Sequence, residues 1–166
     1  MKLLDWPLLV IIIESFSKGA LLDECYVKEL REAIVAVDVV LSRLDRAKKA
    51  INSAQGLGVL DLLGGKKFMT FLKRRQISKA ENEIAKAKKE IKNLNKELAD
   101  LNEYVDIDFN IGALLGFFDY FFGGAFADWI VLGKLGKAKK NIDDARRQLF
   151  DIKVKLEDLL AREYSR

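Results

Sequence analysis

The sequence predicts an all-α protein, an elongated bundle of three long helices with coiled-coil-like packing. Three observations carry that expectation: apolar residues recur at every seventh position over three long segments, a single proline interrupts 166 residues, and β-branched residues are a minority. Proline breaks helices and β-branched side chains lower helix propensity, so their scarcity favours long helices. The length suits one domain, residues 1–166, with a substantial core.

The N-terminal segment, 1–18, holds an apolar run from Leu8 to Ile13 between Asp5 and Glu14. It is too short for a secretory signal or for a span of about 20 apolar residues, so it reads as a short buried segment. By default this points to a cytoplasmic protein, peripheral at most to a membrane. Helix A is expected over 20–55, with Leu30, Val37, Leu44 and Ile51 at one core position and Tyr26, Ala33, Val40, Ala47 and Ala54 at the other. Ile34 and Leu41 widen this stripe, as for a helix touching two neighbours.

Helix B is expected over 77–105, with Ile77, Ile84, Ile91, Leu98 and Val105 alternating with Ala80, Ala87, Leu94 and Leu101. Helix C follows over 135–164, with Leu135, Ile142, Leu149 and Leu156 alternating with Ala138, Ala145, Ile152 and Leu159. Compact connectors favour helices that alternate in direction. Against this, Glu83, Glu90 and Glu97 on B oppose Lys139, Arg146 and Lys153 on C, the charge pattern of parallel neighbours. Paired glycines in the connectors tip the expectation toward alternation.

The connectors, 56–76 and 106–134, are related. A shift of 58 positions aligns 56–101 with 114–159 without a gap, and 12 of 46 pairs are identical. GVLDLLGG and GFFDYFFGG are thereby two copies of one apolar, glycine-containing element, each followed by a long polar helix. Phe68, Phe71 and Leu72, like Phe126, Trp129 and Ile130, have the spacing of one face of a short helix.

Three roles compete for these connectors. They could close the end of the bundle, with Asp61 and Asp119 as helix caps. They could lie on a membrane, since Ile111–Gly133 carries only Asp119 and Asp128 as charges and basic runs follow both connectors. They could form a protein-binding or self-association surface through Phe117, Phe118, Tyr120, Phe121, Phe122, Phe126 and Trp129, with Phe68 and Phe71 from the first copy.

Histidine is absent and Cys25 is alone, which removes the usual general base, metal ligands and Cys-His or Ser-His dyads. No catalytic, cofactor-binding or metal-binding residues are assigned, and no small-molecule substrate is implied. The chain reads as a non-enzymatic protein. Residues 66–96 carry eleven Lys or Arg and three Glu, so Lys73, Arg74, Arg75, Lys79, Lys88, Lys92 and Lys96 form a candidate basic patch. Beyond the connector, from 77 to 96, the lysine-rich helix has no aromatic residue to stack on bases and no groove-binding motif, which argues against nucleic acid. The expected partner is another protein or a second copy, with a membrane surface as the alternative.

Overall fold

Helices make up all the regular structure of the computed structural model among the described residues. The structure describes residues 6–60, 66–105, 109, 111–123 and 134–165, with side chains over 24–57, 70–105, 109, 112–120 and 134–165. The chain is all-helical among these residues, in the order α1 (Trp6–Leu60), α2 (Lys66–Asn102), α3 (Ile111–Gly123) and α4 (Leu135–Tyr164).

Both ends of α1 and of α2 differ from the sequence expectation, most of all at their starts. Helix α1 begins at Trp6, so the apolar run after Pro7 belongs to the first long helix rather than to a separate segment. Pro7 sits in the first turn, where its missing N–H has no carbonyl to meet. Helix α2 starts at Lys66 and takes up half of the first expected connector, since no glycine or proline follows Gly65 until Gly112.

The apolar stripes lie inward. Leu30, Leu44, Ile51, Leu94, Leu98, Leu101, Ile142, Leu149 and Leu156 are fully buried. Ala33, Ala47 and Ala54 of α1, Ala80 and Ala87 of α2, and Ala138 and Ala145 of α4 are buried beside them. Side chains this small let helix backbones approach closely. Ile34 and Leu41, which widen the stripe on α1, pack against the core from its edge.

Ion pairs give the directions. Arg43 reaches Glu83 at 3.3 Å, and Tyr26 meets Tyr104 with ring centroids 5.8 Å apart, so α2 runs antiparallel to α1. On the other flank Asp38 pairs with Lys153 at 2.7 Å, Asp45 with Arg146 at 2.9 Å and Lys48 with Asp143 at 2.5 Å. Arg31 meets Tyr164 at the far end of this ladder. Helix α4 is therefore antiparallel to α1 as well, and α2 and α4 point the same way.

Alternation is thus corrected. The cause is α3, which returns along α2 as a helix and is tied to it by Asp119 and Lys88 at 2.9 Å. Among the described residues the charged flanks of α2 and α4 do not pair with each other: Glu83, Arg146 and Lys153 all find partners on α1. Helices α2 and α4 each pack on α1 and on α3, and among the described residues they do not meet directly.

Of the paired glycines that argued against a return helix, Gly123 is the last residue of α3, while Gly112 and Gly116 lie within it. A Cβ at Gly112 or Gly116 would meet nothing within 4 Å, so neither glycine is required by close approach. Burial of Leu114 and Phe118 offsets their poor helix propensity. Gly116→Ala is accordingly expected to raise stability by about 0.5–1 kcal/mol, measured by thermal or chemical denaturation. Leu94→Ala, at a fully buried position, is expected to lower it by about 2–5 kcal/mol in the same assay.

Candidate functional site

The aromatic stretch divides between inside and outside by helical periodicity. Leu114 and Phe118, four residues apart, share the inward face of α3, and Phe118 is 1% exposed. This corrects the placement of Phe118 on an interaction surface: it is core. Phe117 is half-buried and meets the Phe118 ring edge-on, with centroids 6.0 Å apart. Tyr120, two residues beyond Phe118, is 71% exposed, and Phe71 on α2 is 62% exposed. The side chains of Phe68, Phe121 and Phe122, and the whole of Phe126, Trp129 and Asp61, lie outside the described residues.

Asp119 is not a helix cap. It lies in the second half of α3, away from any described helix start, and its carboxylate accepts from Lys88. That hydrogen bond and the Lys88 charge, with Lys92 beyond, hold its carboxyl below the usual range. Glu83 is the one buried charged residue among those described. Burial pushes its carboxyl up, but hydrogen bonds from Lys86 and Arg43 outweigh that and leave it below the usual range. Asp143 and Asp144, adjacent in sequence, are separated by the helix: the first pairs with Lys48, the second with Arg147.

Because α2 and α4 both run against α1, their basic starts share one end of the molecule with the C-terminal part of α1. There α1 contributes Arg46, Lys48 and Lys49, α2 contributes Lys73, Arg74, Arg75 and Lys79, and α4 contributes Lys134, Lys137, Lys139 and Lys140. No Asp or Glu occurs in 46–57, 70–80 or 134–142. This zone extends about 18 Å along the axis, taking 12 residues of α1 at 1.5 Å each. Of these cations only Lys48 has an ion-pair partner among the described residues. The expected patch along α2 therefore divides. Lys73, Arg74, Arg75 and Lys79 join this end, whereas Lys88, Lys92 and Lys96 lie farther along, where Lys88 is taken up by Asp119.

No protein-family model, curated protein or solved structure matches this chain. Its own surface is what indicates its chemistry.

The opposite end is acidic. Glu24, Glu29 and Glu32 of α1, Glu97, Asp100 and Glu103 of α2, and Glu157, Asp158 and Glu163 of α4 outnumber Lys28, Arg31 and Arg162 there. Carboxylate oxygens of Glu29, Glu97 and Asp100 lie within 4.8 Å of one another across the α1–α2 seam, the nearest approach to a metal-ligand set among the described residues. All three are at least partly exposed, and what the geometry establishes is mutual repulsion. Among the described residues no helix is long and apolar enough to cross a membrane.

A third feature is an outer groove between α1 and α4, about 760 Å³, lined by Leu41, Ser42, Arg46, Lys49, Phe150 and Asp151 together with the ladder's carboxylates and Arg146. Phe150 is 58% exposed. Its signal in the sequence was an aromatic residue off the heptad stripe of the last helix.

The Glu97 carboxyl is raised above its ordinary value by burial first, then by the charges of Glu32, Asp100 and Glu29. The folded state therefore holds this proton more tightly than the unfolded chain. Stability is expected to rise as pH falls through the raised value, reaching its full gain below the unfolded glutamate value. Glu97→Gln is expected to raise stability at neutral pH and to flatten this part of the profile, as read by denaturant midpoints across a pH series.

Proposed function

We propose that this chain is a non-enzymatic helical-bundle protein that works through its surfaces, and that its basic end docks on an anionic membrane surface from the cytoplasmic side. The observation that carries the reading is the gathering of basic residues from three helices at one end, where among the described residues only Lys48 is matched by a carboxylate, that of Asp143. Each Lys or Arg near an anionic bilayer contributes about 1 kcal/mol, and the attraction decays within a Debye length of about 8 Å. A blunt end carrying many cations can place several within that distance at once. Exposed Phe71 beside Lys73, Arg74 and Arg75 adds an apolar contact suited to the headgroup boundary. Duplex nucleic acid is less well matched, because the cations ring the end of a bundle rather than line one helix face.

The bundle itself we take to be packed on seven-residue stripes and built from two related helical hairpins. Support comes from burial of the stripe residues on α1, α2 and α4, and from chain direction: α3 precedes an antiparallel α4 as α1 precedes α2.

The test is co-sedimentation with phosphatidylcholine vesicles, with and without phosphatidylserine, at low and high salt. The expected result is pelleting on the serine-containing vesicles at low salt, lost at high salt and lost in Lys137→Glu/Lys139→Glu/Lys140→Glu. No pelleting at low salt, or equal pelleting on neutral vesicles, removes the proposal. Tighter binding to duplex DNA or RNA, abolished by the same variant, would reassign the basic end to nucleic acid.

A further inference from the structure

We infer that the outer groove between α1 and α4 is a self-association surface, occupied by the same groove of a second, antiparallel copy. This rests on the reading of the chain as one that works through its surfaces, but not on membrane docking.

The groove carries apolar surface that this chain leaves uncovered. Phe150 stands on its α4 side, and Leu41 lies half-covered on its α1 side. Most charges around it are already matched within the chain, by Asp38 with Lys153, Asp45 with Arg146 and Lys48 with Asp143. Three are not: Arg46, Lys49 and Asp151 line the groove, and none has an ion-pair partner among the described residues.

The ladder gives the positions of Arg46 and Asp151. It places Leu41 level with Phe150 and Val40 level with Asp151 along the bundle axis. Arg46 and Asp151 therefore lie about three residues on either side of the level of Arg43. A two-fold axis at that level brings each Arg46 to the height of Asp151 in the second copy. The same axis sets the two Phe150 side chains near the centre, each over the groove of the other molecule. One surface thus supplies both halves of an isologous contact.

The charge of the whole chain selects the same orientation. Antiparallel copies place the basic end of one beside the acidic end of the other, whereas parallel copies set like charges together.

Sedimentation equilibrium of the full chain over a wide concentration range tests this. A concentration-dependent dimer is expected. Phe150→Glu is expected to raise its dissociation constant about tenfold or more, with helical content and melting behaviour retained. Arg46→Asp and Asp151→Arg are each expected to weaken the dimer, and the double variant to restore it, because the swapped pair still matches across the axis. A wild-type monomer at the highest concentration overturns the inference. So does a dimer indifferent to Phe150→Glu, and failure of the double variant to recover overturns the antiparallel arrangement. Monomeric Phe150→Glu should still pellet with phosphatidylserine vesicles, so loss of the dimer and loss of membrane docking are read separately.

Discussion

The structure depends on α1 serving two long helices at once. Its apolar face is broader than a two-stranded seam needs, because Ile34 and Leu41 extend the stripe formed by Leu30, Val37, Leu44 and Ile51. One flank takes α2 and the other takes α4, and both partners run against it. Fully burying a leucine or isoleucine contributes about 1.5–3 kcal/mol, while an exposed ion pair contributes about 0–1 kcal/mol. The stripes therefore supply the energy of association. The ladder from Asp38–Lys153 to Lys48–Asp143 selects which residues lie level with which.

Electrostatic polarity follows from that arrangement. Local sequence puts basic residues at the starts of α2 and α4 and acidic ones toward their ends. An alternating bundle would place those starts at opposite ends and cancel much of the asymmetry. The return helix α3 turns the chain round once more, so the two starts coincide and the asymmetry accumulates. The acidic end bears the cost in the raised Glu97 carboxyl, and the basic end has cations with no described partner. Such an arrangement is maintained against self-repulsion, and contact with an anionic surface or with the acidic end of another copy would relieve it.

The aromatic stretch shows how one short helix divides its work. Phe118 and Leu114 complete the core where, among the described residues, α2 and α4 do not meet, and the Tyr120 side chain is exposed. Sequence pattern identified the stretch as distinctive but treated its aromatics as a group. Spacing of four between Leu114 and Phe118 was the signal that separates the buried pair from the rest, and it becomes decisive only once the segment is known to be helical.

By itself the sequence determined the helical class and the residues that turn inward, because a seven-residue apolar period leaves a helix only one face to bury. Alanine 80, 87, 138 and 145 and the leucines and isoleucines between them could be named from spacing alone, and they are buried. Chain direction was a different matter. It turned on whether Ile111–Gly123 would fold back as a helix despite Gly112 and Gly116, a balance between glycine's propensity cost and the burial gained by Leu114 and Phe118. That gain exists only when α2 and α4 are there to cover them. Tertiary structure therefore decided which ends meet, and with them the charged end and the outer groove.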